Sequence, residues 1–233
     1  MSFAERLSAI QSSIAAACER SGRSPSDVAL MGVSKNHPPE SVAEAARCGV
    51  RLFGENRVQE AKAKIPLGPG NVEWHLIGHL QSNKCRDAVA LFSMIQGVDS
   101  LRLAEEIDKA AEKQAKTMKI LLEVNVAGEA SKFGYKPEAV LSDLDAINAL
   151  PRVELHGLMT IAPYTRLAES VRPYFRRLRE LKDACEQKMG VPLPVLSMGM
   201  SGDFEVAIEE GSTLVRIGTA LFGDRPKPQR EGE

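Results

Sequence analysis

Lys35 is the side chain best placed for covalent chemistry. It ends an apolar run, Val28-Ala29-Leu30-Met31-Gly32-Val33-Ser34-Lys35, and Asn36-His37-Pro38-Pro39 follows. A short apolar run stopped by prolines reads as a buried strand and its exit. That puts an amine at a strand's C-terminal end, where α/β folds carry their reactive groups. A strand-end lysine that loses some hydration can become a neutral nucleophile and form a Schiff base with an aldehyde. It can equally be a strand-terminal lysine reaching for solvent, and this segment alone leaves both readings open.

Two turns near the far end could hold an anion. Pro194-Val195-Leu196-Ser197-Met198-Gly199-Met200-Ser201-Gly202-Asp203 reads as a strand running into a helix start. Gly199 and Gly202 remove side chains where a ligand could approach the backbone, and Ser201 and Asp203 are N-cap types. Free N–H groups at such a turn, with the helix dipole, attract anions. A second turn of this kind follows at Thr213-Leu214-Val215-Arg216-Ile217-Gly218-Thr219-Ala220. Each turn alone is as readily an ordinary glycine turn. Two in succession, with Arg216 between them, match the phosphate site that (β/α)8 barrels build after strands 7 and 8.

The segments that must position these groups alternate between strand and helix. After a helix over residues 2–20, strands are predicted at 28–34, 50–54, 72–77, 93–98, 118–126 and 153–159. Helices are predicted at 39–48, 55–64, 81–91, 100–114, 137–150 and 167–189, and the two glycine-turn units complete the set. Eight strands alternating with helices in 233 residues argue for a closed parallel (β/α)8 barrel. The first helix precedes strand 1 and would cover the barrel's bottom. The expected organisation is one barrel domain over residues 1–223 and a polar, proline-bearing, frayed tail over 224–233.

Alternate residues of a strand share a face. Glu123 and Asn125 therefore share one face of their strand, and Leu122, Val124 and Val126 the other. Two polar side chains on one face of a buried strand suggest either a lined cavity or a buried hydrogen-bonded pair. Asn56 follows the second strand and His79 the third, so both fall at C-terminal strand ends. His75 lies inside its strand, as a satisfied core residue would, and His37 is expected in an exposed loop.

Composition excludes several classes. Thirty basic and 31 acidic side chains leave a net charge of −1, which gives no electrostatic footprint for nucleic acid or an anionic membrane. No apolar run approaches a membrane span, and the first twenty residues lack the apolar core of a signal peptide. Cys18, Cys48, Cys85 and Cys185 are widely spaced; they read as reduced thiols of a cytoplasmic protein, mostly packing residues, without a zinc motif.

Taken in order, several motifs carry a resemblance. They are Val33-Ser34-Lys35, Phe53-Gly54-Glu55-Asn56, Trp74-His75-Leu76-Ile77-Gly78-His79-Leu80-Gln81 and Asn83-Lys84. Further on come Val124-Asn125, Glu129, Lys132-Phe133-Gly134, Gly157-Leu158-Met159-Thr160, Ser197 to Asp203, and Arg216-Ile217-Gly218-Thr219. Together they resemble the pyridoxal phosphate homeostasis family, related to the N-terminal barrel of alanine racemase, from Ser2 to about Gly223 and with no departure at the motif positions. The resemblance implies an alanine-racemase N-terminal-domain-like barrel that holds pyridoxal 5′-phosphate as a Schiff base on Lys35. It implies that Ser201, Gly202, Gly218 and Thr219 hold the phosphate. Arg216 would face the pyridine nitrogen, with Asn56, His79 and Met198 near the ring. The implied role is a cytoplasmic carrier in vitamin B6 homeostasis without established catalysis. Its partners would be the cofactor and apo-forms of pyridoxal phosphate enzymes, and its state monomer or weak homodimer.

The residues favour the carrier over an amino-acid racemase, the alternative reading. Pyridoxal phosphate stabilises carbanions best when its ring nitrogen is protonated, and arginine only donates. Racemisation also needs a second base on the opposite face. Of Tyr135, Tyr164 and Tyr174, only Tyr164 could be delivered there by a loop. A Schiff-base aldolase would use the same lysine and phosphate site but would be colourless as purified.

Overall fold

The strands are short because each need only cross one layer of a barrel, and their alternation sorts side chains inward and outward. The computed structural model describes residues 1–223; the tail expected at 224–233 lies outside the described residues. The strands are β1 (Ala29–Val33), β2 (Leu52–Glu55), β3 (Glu73–Leu76), β4 (Met94–Val98), β5 (Met118–Glu123), β6 (Val153–Met159), β7 (Val195–Met200) and β8 (Leu214–Ile217). They pair in parallel in sequence order, and β8 returns to β1 to close the barrel. Closure leaves no unpaired edge.

The outer layer is α1 (Phe3–Arg20), α2 (Pro39–Arg47), α3 (Val58–Lys64), α4 (Cys85–Leu91), α5 (Leu101–Glu112), α6 (Pro137–Asn148), α7 (Arg172–Met189), α8 (Phe204–Glu209) and α9 (Thr219–Phe222). The main core lies between sheet and helices, where Phe53, Trp74, Ile95, Leu122, Leu158, Leu196 and Val215 meet helix residues such as Ile107, Leu144 and Phe175. Inside the barrel the apolar clusters are small. Met31, Val33, Ile77 and Leu214 form one, and Met94, Leu121 and Met159 another.

Several expectations are corrected. The first helix packs on the outside, not across the bottom. Its stripe Phe3, Leu7, Ile10, Ile14, Ala17 and Cys18 is buried, Arg6 donates to the Leu221 carbonyl, and Arg20 pairs with Glu205 and Glu209 of α8. The reason is that α9 has four residues, too few to cover β8, so α1 takes that place. Glu55 ends β2 and does not begin a helix, because it still pairs with Leu76 of β3 and its carbonyl accepts from the Ile77 N–H. The strand expected to reach Val126 stops at Glu123. His37 is buried, not exposed; its ring stacks on Phe222 at 5.0 Å. Cys18, Cys85 and Cys185 are buried free thiols and Cys48 is exposed.

One position shows how closely the strands approach. Gly157 follows a register shift between β5 and β6 and has φ +154°, and a Cβ there would fall 1.7 Å from the Val195 carbonyl oxygen. Gly157→Ala is therefore expected to cost about 3 kcal/mol or more of unfolding free energy. Urea denaturation followed by circular dichroism measures this, and an unchanged midpoint would contradict the β6–β7 contact.

Candidate ligand-binding site

The C-terminal ends of the strands open into a cavity of about 590 Å³. Lys35 reaches it from a tight turn after β1. The His37 N–H donates to the Ser34 carbonyl, Asn36 is left-handed at φ 62°, and the Asn36 N–H donates to Glu60 Oε1 at 2.6 Å. Behind the turn sits a buried ionic cluster. Lys64 Nζ donates to the Ser34 carbonyl at 2.7 Å, to Glu55 Oε1 at 2.6 Å and to Glu60 Oε1 at 2.9 Å. The Ser34 hydroxyl donates to the same Glu55 oxygen at 2.6 Å. Burial pushes the Glu55 carboxyl up against the pull of Lys64 and Ser34. Nothing in the sequence marked Lys64, because a helical lysine four residues after Glu60 looks like one half of a surface pair.

The two glycine turns face the same cavity through Ser201, Gly202, Gly218 and Thr219. The backbone N–H groups of these four residues donate to no partner among the described residues. The turns are tied together where the Ala220 N–H donates to Ser201 Oγ at 3.2 Å, which leaves the Ser201 proton available to a ligand. Asp203 precedes α8, but its side chain turns back to accept from the Met200 N–H at 2.6 Å. A Cβ built on Gly202 meets nothing within 4 Å. Converging N–H donors beside open space make an anion cradle.

Arg216 comes from β8 and lines the cavity from below. It is almost wholly buried, donating to Ser197 Oγ and to the Thr160 carbonyl, each at 2.7 Å. Burial pulls its guanidinium down to about 10, still protonated at neutral pH. Glu123 is buried on the same interior side; burial pushes its carboxyl up to about 7, against the pull of Arg216. Asn56 also lines the cavity, and its Oδ1 is buried without a partner. Such an orphaned atom is expected where a ligand completes the bonding.

Lys35, Asn56, Ser201, Gly202, Arg216, Gly218 and Thr219 are thus brought together, while His79 and Met198 are not. His79 turns away from the cavity, bonding Asp99 at 3.0 Å under the stacked ring of Phe133. Met198 is fully buried in the sheet–helix core. Its place is taken by Met200, which sequence reasoning missed. The register shifts between Ser197 and Met200, and Gly199 has φ +93°, so simple alternation fails there. Neither Asn125 nor Glu123 lines the cavity, and the two side chains do not bond each other. The Asn125 side chain organises the following loop, donating to the Glu129 carbonyl at 2.8 Å and accepting from the Glu129 N–H at 3.2 Å. Among the described residues no cluster could hold a metal ion, and no helix is long and apolar enough to cross a membrane.

A parallel barrel with a strand-end lysine and a backbone anion cradle after its last two strands has the layout of a (β/α)8 barrel whose C-terminal mouth is built to receive an anion. A family model described as alanine racemase, N-terminal domain, matches residues 6–226. The pyridoxal phosphate homeostasis protein of Aquifex aeolicus is 49% identical over 97% of this chain and 99% of its own. That of Escherichia coli K12 is 40% identical over 96% and 97%. The chain belongs to the pyridoxal phosphate homeostasis protein family. Among solved structures, PipY of Synechococcus elongatus with PLP bound aligns at TM-score 0.82 and 39% identity, over 95% of this chain and 100% of that one. Alanine racemase of Clostridium difficile 630 aligns at TM-score 0.69 and 16% identity, over 93% of this chain and 56% of that one, a likeness of fold alone.

Two outcomes test this electrostatic picture. Lys64→Met strands the wholly buried Glu55, and a loss of about 3–5 kcal/mol is expected in urea titrations. The double variant Lys64→Met, Glu55→Leu should recover much of it. Glu123 binds its proton more tightly folded than unfolded. Its contribution is therefore full below about pH 4 and lost as the pH rises through 7. Measured against Glu123→Gln, the wild type should lose about 3 kcal/mol of relative stability between pH 4 and 8. Parallel stability curves for the two proteins would contradict the buried carboxyl.

Proposed function

We propose that this protein binds pyridoxal 5′-phosphate in the C-terminal cavity and serves vitamin B6 homeostasis as a carrier, not as a catalyst. One observation carries the reading: four unpartnered N–H donors and the Lys35 side chain line the same cavity. The cradle suits a phosphate monoester, the amine suits an aldehyde, and Asn56 Oδ1 awaits a partner. Relatives at 49% and 41% identity are named pyridoxal phosphate homeostasis protein, which supports it, as does the solved PLP complex of PipY.

In this reading Lys35 holds the aldehyde carbon covalently through its amine, and Ser201, Gly202, Gly218 and Thr219 hold the phosphate. When bound, the cofactor supplies an electrophilic aldehyde and a ring that can draw electrons. Arg216 faces the ring nitrogen with donors only and keeps it unprotonated, which weakens the ring as an electron sink. Asn56 orients the ring. His79 contributes only from outside the cavity, and Met198 contributes by packing the strand behind it. The half-open cavity leaves the ligand reachable by water and by apo-forms of pyridoxal phosphate enzymes in the cytoplasm.

The racemase alternative rests on Tyr164, which lines the cavity and is 93% exposed, so a loop movement would be needed to bring a base over the ring. Exchange of the α-proton of an L-amino acid in heavy water tests this directly. Wild-type turnover of about 1 per second or more would overturn the carrier reading.

Lys35→Ala is expected to abolish the visible absorption band and the borohydride-fixed adduct, yet retain weaker binding through the phosphate. A persistent band would move the covalent link elsewhere, and mapping the reduced adduct would locate it. Ser201→Ala should weaken binding by about 1.5–3 kcal/mol, the worth of a hydrogen bond to a charged partner. Ser201→Asp should weaken it far more, because a carboxylate then faces a phosphate. Equal dissociation constants for the two variants would put the phosphate elsewhere.

A further inference from the structure

The centre of a (β/α)8 barrel is ordinarily filled by branched apolar side chains. Here its middle is polar. Arg216, Ser197, Gln96 and His75 point inward from β8, β7, β4 and β3, and all are buried. They form one continuous chain. Arg216 Nη1 donates to Ser197 Oγ at 2.7 Å, and Ser197 Oγ lies 2.7 Å from Gln96 Oε1. Gln96 Nε2 lies 2.9 Å from His75 Nδ1, and His75 Nε2 lies 3.2 Å from Glu73 Oε1. Glu73 sits at the N-terminal end of β3, largely exposed. The chain therefore runs from the ligand cavity through the barrel to its opposite mouth.

Its direction follows from chemistry. Arginine only donates, so the Ser197 oxygen must accept from it and send its own proton to Gln96. Gln96 must then present its oxygen to Ser197 and its amide N–H to His75. Nδ1 of His75 is left to accept, so its proton sits on Nε2 and points at Glu73. The Glu73 carboxylate at the end of the chain accepts from the Ser93 hydroxyl as well, at 2.8 Å.

We propose that Ser197, Gln96 and His75 are positioning residues for Arg216: the chain holds the guanidinium in one orientation, so that its remaining N–H donors face the cavity. In the orientation assigned here, every link is satisfied only with His75 as the neutral Nε2–H tautomer. Protonating His75 would turn Gln96 over and leave the Ser197 proton facing a group that cannot accept it. The placement of ligand toward Arg216 rests on the cofactor reading above, but the tautomer of His75 does not.

Two measurements decide it. In protein carrying ¹⁵N-labelled histidine and no ligand, long-range ¹H–¹⁵N spectra are expected to show His75 with Nε2 protonated and Nδ1 bare. In Gln96→Glu, whose carboxylate can only accept, His75 is expected to be protonated on both nitrogens at neutral pH. A wild-type His75 protonated on Nδ1 would overturn the chain. Second, Gln96→Leu should raise the dissociation constant of pyridoxal 5′-phosphate about tenfold and shift the absorption maximum of the bound form. Competition by inorganic phosphate, which needs only the turns, should be unchanged. Should Gln96→Leu fail to fold, Ser197→Ala removes the adjacent link with a smaller change in volume and is expected to behave the same way. Wild-type affinity and an unmoved absorption maximum in the folded variant would overturn the positioning role. Failure of the wild type to bind pyridoxal phosphate would instead overturn the function proposed above and leave the tautomer measurement standing.

Discussion

Removing a guanidinium from water costs several kcal/mol unless its donors are met. Arg216 is buried in the middle of a closed barrel, and much of the interior is arranged around that cost. Ser197 and the Thr160 carbonyl take two of its N–H groups, Glu123 offers a nearby carboxyl, and Gln96 and His75 continue the polar core. The apolar clusters inside the barrel are correspondingly small. Most hydrophobic stabilisation is therefore carried by the layer between sheet and helices, which leaves the interior free to present one charge at the cavity floor.

The same division explains how the mouth is built. Lys35 needs a strand end that does not move, and the Lys64–Glu55–Ser34 cluster supplies it from behind the turn. Such a buried ionic group contributes more to geometry than to net stability. The anion cradle needs bare N–H groups, and the short helices α8 and α9 begin there without side-chain caps. What would ordinarily be a defect at a helix start is left open to the cavity.

The fold was legible in the sequence because parallel strands buried on both faces read as apolar runs, and glycines and prolines mark their exits. The candidate site was legible where its residues fall at strand ends: Lys35, Asn56, Arg216 and the two glycine turns all meet at one cavity. His79 and Met198 misled for local reasons. A strand-end position does not say which way a side chain turns; Met198 follows the alternation into the sheet–helix core beside Leu196, while the positive φ at Gly199 and the register shift beside it bring Met200 round to the cavity. The first helix misled because its role depends on how short the last one is.

By itself the sequence determined the order of the elements, the parallel barrel and most of the residues gathered at its C-terminal mouth, since these follow from local pattern and chain direction. Only the tertiary structure decided that Lys64 bonds the Ser34 carbonyl next to Lys35, that Met200 and not Met198 faces the cavity, and that Arg216 is joined through Ser197 and Gln96 to His75. Those contacts link residues up to 101 positions apart. Their energies depend on burial and on mutual hydrogen-bond satisfaction, which exist only once the barrel has closed.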